Sequence, residues 1–309
     1  MMLALSHNAQ WVLLATFLLG MAAGVTGCLA YWKRQSLMSD ALSHAALPGV
    51  VIGFALAGSK SLPVMLIGAA ASALAGAVLV HHIRAASRVK EDTAMGIVLS
   101  VFFGLGIMLL TMANRMPGGG QSGLDGFLFG QAAAMVPEDV RVMAAVALLA
   151  ILTVLISFKE WKLFLFDPDF AGVLGLAGKW MNAVYLALLV TVIVAGIQAA
   201  GVVLMAALLI MPAVSARYWT DSFGRMTALS ALFGGAAGCA GTLASLWGEG
   251  LPTGPLIVIA AAALFLVSLV FGLRKGLLLP LIRRQLTKRR LKGSALAGRS
   301  GLPERGSLS

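Results

Sequence analysis

The chain has 309 residues, 60% of them hydrophobic and 11% charged, with a formal net charge of +11 and a mean hydropathy of +0.94. An ordinary soluble domain carries roughly 25% charged residues, so these figures exclude a soluble enzyme and require an all-α, polytopic membrane protein. Nor does the charge argue for nucleic acid, because ten of the 23 Lys and Arg residues lie between Arg274 and Arg305 and the others sit between apolar runs.

In chain order, apolar runs at about 11–31, 38–57, 62–82, 94–113, 140–157, 181–197, 200–216, 226–247 and 254–273 predict about nine transmembrane helices. Gly58-Ser59-Lys60, the charged stretch Arg84–Asp92 and Met116-Pro117-Gly118-Gly119-Gly120 mark connections, and Gln198–Gly201 marks a very tight one. Val25-Thr26-Gly27-Cys28 has the look of a processing site, but no Lys or Arg precedes it, so it is expected to stay within the first span. Alternating the runs across a bilayer puts 20 of the 23 basic residues on one side and Lys60, Arg115 and Arg141 on the other. The positive-inside rule then predicts an outside N-terminus and a cytoplasmic C-terminus.

Ionisable residues inside spans are costly and mark function. The second run opens with Ser39-Asp40-Ala41-Leu42-Ser43-His44, followed by Pro48-Gly49. Asp40 and His44, four apart, share one face of a helix. Carboxylate oxygen plus imidazole nitrogen suits a first-row divalent cation, although two ligands leave a site incomplete. Equally, Ser39 or Asp40 could simply cap the helix start. Pro48-Gly49 would permit a break that deepens the site.

Other features are blander. His81 and His82 end the third run at the basic interface, and Glu249 lies in an outer connection. The two cysteines, Cys28 and Cys239, and the 15 methionines read as apolar packing. Gly20 with Gly24, and Gly234 with Gly238, are small-residue patterns for close helix packing. Gly53–Ser61 is a near miss for a phosphate loop, with its Lys displaced and no strand before it.

Between the fifth and sixth runs, Asp167-Pro168 makes a cap and first-turn start and Gly175 a stop, predicting a helix of about two turns. Its exposed aromatics would lie on the bilayer or in a partner's groove.

The segment Ser36–Gly49 resembles the signature of the permease family of bacterial zinc, manganese and iron ABC importers. The likeness continues through Lys90–Ile97, Leu128-Phe129-Gly130-Gln131, Phe166–Ala171, Gly201–Ala213 and Leu251–Pro255, and so runs across residues 10–273. It implies a multi-pass permease of the bacterial inner membrane, not itself an enzyme and with no permanently bound cofactor. Its cargo would be a divalent metal ion, with the Leu128–Gln131 stretch closer to manganese and iron members. The implied partners are two cytoplasmic ABC ATPase subunits, a second copy or a related permease, an extracytoplasmic metal-binding protein and membrane lipids. By this resemblance Asp40 and His44 are metal ligands in the path, and Phe166, Asp167, Pro168, Asp169, Phe170 and Ala171 couple to the ATPase. Residues 1–273 are then the permease domain, and 274–309 a basic cytoplasmic tail, partly disordered at its end. Two rivals stand beside this reading: an ATP-independent secondary metal transporter, which should carry several carboxylates within its spans, and a non-transport membrane scaffold.

Overall fold

A computed structural model describes residues 7–58, 61–115, 130, 135, 137–247 and 251–277. Among these the regular structure is helical: α1 (His7–Trp32), α2 (Ser36–Ala57), α3 (Leu62–Ala86), α4 (Glu91–Arg115), α5 (Pro137–Ile156), α6 (Phe158–Phe166), α7 (Pro168–Val173), α8 (Gly178–Ala200), α9 (Val202–Arg217), α10 (Phe223–Ser245) and α11 (Thr253–Phe271). Glu249, Leu128, Phe129, Gln131 and the tail from 278 onward lie outside the described residues, as do Ser59 and Lys60.

Eight of these helices are long and apolar enough to cross a membrane: α1 to α5, α8, α10 and α11. The run expected at 200–216 forms the shorter α9, whose 16 residues span about 24 Å against a hydrocarbon core of about 30 Å. By that length eight of the described helices qualify, and α9 returns the chain to the end where α8 began as a shorter apolar helix. The tight connection before α9 is a single residue, Gly201, at φ 85° and ψ 159°, a backbone region that only glycine occupies without strain.

Helix burial separates a core from a rim. In the apolar stretch of α1 72% of the residues are buried and in that of α2 61%, against 22% in α4 and α11. Without a hydrophobic drive between helices in lipid, close packing and interhelical hydrogen bonds hold the core. Along the antiparallel seam of α1 and α10, a Cβ added at Gly20 would meet the Gly234 carbonyl oxygen at 2.2 Å. Ser230 Oγ donates to the Gly24 carbonyl at 2.6 Å, and the Thr16 and Thr242 hydroxyls pair at 2.8 Å. A second seam joins α2 to α3, where a Cβ on Gly49 would lie 2.0 Å from the Gly68 carbonyl oxygen. Small residues at these crossings let backbones touch, which the sequence pattern anticipated for α1 and α10.

The helix ends also sort by charge. Contacts of Lys33 with Asn182, Gln35 with Glu91, Arg84 with Glu91 and Trp32 with Phe166 bring the connections after α1, α3 and α5 to one end of the bundle. The α9–α10 connection joins them, because Phe158 stacks on Phe223 at 5.1 Å. The chain leaving α11 is held there too, the Arg274 and Lys275 amides donating to the Tyr218 carbonyl. This is the basic end.

Candidate metal site and coupling surface

Asp40 does not cap α2. The helix starts at Ser36 behind Gln35, which makes no side-chain cap bond. Asp40 and His44 therefore project from its interior, about 6 and 12 Å along the axis from its first residue. The helix also runs unbroken through Pro48, so depth comes from the early start rather than from a break. Proline has no N–H for the His44 carbonyl, and at the next residue Ser72 Oγ of α3 donates to the Ala45 carbonyl at 2.6 Å.

Asp40 Oδ1 and His44 Nε2 stand 3.2 Å apart. Two ligands at about 2.0–2.2 Å from one cation, subtending between about 90° and 110°, have their donor atoms about 3.0–3.4 Å apart. The pair is already at the bite a first-row ion needs. The two side chains are 33% and 12% exposed, so the face is open enough to be reached and still largely walled by protein. On their buried side Ser39 and Ser43 are fully enclosed, with Ser43 Oγ donating to the Ser39 carbonyl at 2.7 Å.

What orients the imidazole is unusual for a metal ligand. Ligating histidines nearly always donate their second nitrogen to a carboxylate or carbonyl. His44 Nδ1 is buried with no hydrogen-bond partner among the described residues, and the ring is held edge-on against Phe103 of α4, centroids 4.7 Å apart and planes at 71°. No spacing rule pointed to Phe103 or Ser72, because they reach α2 from other helices. Among the described residues no three His, Cys, Asp or Glu side chains converge. His81 and His82, with rings 6.4 Å apart at the end of α3, do not supply a third ligand.

At the basic end, the predicted two-turn helix is α7. Asp167 caps it, its Oδ1 accepting from the Phe170 amide at 3.0 Å, Pro168 opens it, and Gly175 turns the chain at φ 83°. Ala171 is buried, while Phe166, Phe170 and Val173 are 53%, 51% and 83% exposed. The preceding helix α6, which no capping or periodic signal announces, seats this apolar tip. Its Phe166 ring lies 4.8 Å from Trp32, and the Arg217 guanidinium sits 5.2 Å over the same indole. Beside it opens a cleft of about 840 Å³, lined by Arg34, Leu37, Asp92, Phe166 and Arg217 among others. Arg34, at φ 59°, makes the tight turn into α2, so the apolar α6–α7 tip and the helix bearing Asp40 share one packed corner.

Residues 6–272 match the model of the ABC 3 transport family. The chain is 46% identical over 289 residues to the manganese transport system membrane protein MntC of Bacillus subtilis (strain 168), covering 93% of this chain and 66% of that relative's length. It is 43% identical over 279 residues to the zinc transport system membrane protein TroC of Treponema pallidum (strain Nichols), covering 90% and 94%. Among solved structures, PsaBC from Streptococcus pneumoniae in complex with Fab superposes with a TM-score of 0.76 at 33% identity, over 87% of this chain and 93% of that one.

Proposed function

The chain belongs to the ABC 3 transport family, and from that premise we propose that Asp40 and His44 carry a divalent first-row metal ion inward in an ATP-driven cycle. It is a multi-pass permease subunit of a metal ABC importer and not itself an enzyme; hydrolysis belongs to a separate ATPase subunit. The observation that carries the site is the 3.2 Å separation of Asp40 Oδ1 and His44 Nε2 on a span that holds no other acidic residue.

The incomplete ligand set has a consequence for assembly. A carboxylate one-third exposed on the face of a membrane helix cannot be left to lipid. A second permease copy brought against this face would cover Asp40 and add its own carboxylate and imidazole. The pair in one chain is then half of a coordination sphere. His44 would enter it through Nε2. Its Nδ1 lacks, among the described residues, the carboxylate or carbonyl that backs and strengthens most metal-ligating imidazoles. Weak holding suits a carrier, which must release what it binds. Manganese, iron and zinc all accept this oxygen–nitrogen set, and the ion is one of these three.

By the positive-inside rule the basic end faces the cytoplasm. There the tip formed by the end of α6 and by α7 offers Phe166, Phe170 and Val173 to an ATPase, two of which would serve a permease pair, while an extracytoplasmic metal-binding protein delivers the ion at the opposite end. ATP binding must favour one gate state over the other for the cycle to run. Movement of α7 reaches α2 through Phe166, Trp32 and the Arg34 turn. The test is accumulation of manganese, iron and zinc in cells with and without the chain, and with Asp40→Ala or His44→Ala. Uptake of one ion depends on the chain and is abolished in both variants, with complex assembly intact. Normal accumulation in either variant sinks the assignment.

A further inference from the structure

The basic end holds a second cavity that metal carriage does not use. It encloses about 380 Å³ between the α1–α2 turn, the end of α3 and the starts of α4 and α8, a volume on the scale of small-ligand sites. Its charged lining comprises Lys33, Arg84, Lys179 and Glu91, three cations against one carboxylate. His81 and His82 stand on its rim. A divalent cation would be repelled from it.

The one carboxylate is already committed. Glu91 pairs with Arg84 at 3.4 Å and accepts from Gln35 Nε2. Lys33 makes no ion pair among the described residues: its ammonium donates to Asn182 Oδ1 and lies 4.5 Å from the Tyr185 ring centroid. Burial pushes its pKa down to about 8, against a smaller opposing pull from Glu91. Tyr185, only 1% exposed, is among the residues lining this cavity, and its hydroxyl has no hydrogen-bond partner among the described residues. A buried hydroxyl without a partner and a half-buried ammonium without a counterion are both costly. One anionic oxygen group answers both.

The cavity wall continues onto the outward face of α3, where Val78, Leu74 and Leu79 are 57%, 45% and 40% exposed. Trp180, 70% exposed beside Lys179, has the place of an interfacial aromatic anchor. A ligand with a phosphate head and hydrocarbon tails fits both surfaces. We propose that this cavity binds the headgroup phosphate of an anionic phospholipid, with Lys33, Lys179 and the Tyr185 hydroxyl as its receptors.

The full permease, purified with its ATPase partner, is placed in nanodiscs of phosphatidylcholine with a rising fraction of phosphatidylglycerol, and retained lipid is counted by native mass spectrometry. The intact complex retains phosphatidylglycerol over phosphatidylcholine. Lys33→Gln and Lys179→Gln each weaken retention about fivefold, and Tyr185→Phe weakens it without disturbing assembly. Lys179 is exposed, so its variant reports even where Lys33→Gln assembles poorly. Equal retention in Lys179→Gln and Tyr185→Phe overturns the site. Stabilisation by inorganic phosphate alone, with no lipid retained, overturns the lipid and assigns a free anion. None of these outcomes depends on metal uptake.

Discussion

Gly49→Ala offers a test of how packing positions the proposed metal ligands. The added Cβ would lie 2.0 Å from the Gly68 carbonyl oxygen and 2.6 Å from Ser72 Cβ. Ordinary contact begins at 3.4 Å, so α2 and α3 must part locally by about 1.4 Å. Overpacking of this kind costs about 1–3 kcal/mol. Parting the helices also breaks the bond from Ser72 to the Ala45 carbonyl, worth about 0.5–1.5 kcal/mol. Alanine returns up to about 1 kcal/mol through its better helix propensity. The net loss is about 2 kcal/mol. Asp40 and His44 stay together because they ride one helix, but His44 shifts against Phe103, so transport falls although both ligands remain. The assay is the unfolding midpoint of the purified protein beside metal accumulation in cells. The control is Gly96→Ala on α4, where nothing lies within 4 Å of the added atom and stability holds or rises slightly. If Gly49→Ala matches Gly96→Ala in both measurements, the close approach of α2 and α3 is not what positions the site.

Two further outcomes are expected. Asp167→Arg with Phe170→Ala removes the cap of α7 and half of its exposed aromatic tip, and lowers the yield of ATPase co-purified with the permease; an unchanged yield counts against docking there. Lys33 gives a pH signature. Its folded pKa is lowered to about 8 from 10.5, so between those values the unfolded chain binds more protons and stability rises with pH. Below pH 8 both states hold the proton and this contribution is flat. The rise in thermal midpoint from pH 8 to 10.5 is smaller in Lys33→Met, and equal slopes for the two proteins would refute the burial of that charge.

The sequence disclosed what depends on local chemistry. The nine apolar runs all appear as helices, the shortest of them as α9. The start and stop of α7 are where Asp167-Pro168 and Gly175 put them, because capping and left-handed turns are decided within a few residues. The face shared by Asp40 and His44 follows from helical period alone. What was hidden comes from distant segments. Gln35 rather than Ser39 precedes α2, since the Arg34 turn and the packing of Trp32 decide where the helix begins. Phe103 at the imidazole, Ser72 at the Ala45 carbonyl and Tyr185 beside Lys33 are meetings between separate helices, with no periodic trace. Helix α6 was missed because Phe158–Phe166 is short and mixes Lys159, Glu160 and Lys162 among aromatics.

The one-residue joint at Gly201 also constrains how the protein is made. A helical pair whose turn is a single glycine offers no polar loop for the insertion machinery to pass across the bilayer or to hold back. Neither α8 nor α9 can be threaded alone and wait for the other, because the chain between them has no length to park in water. With a basic residue at each free end, Lys179 and Arg217, the hairpin is expected to enter whole. Any side chain at position 201 would strain this turn before the first ion is carried, and its harm would register as lost protein in the membrane rather than as slow transport.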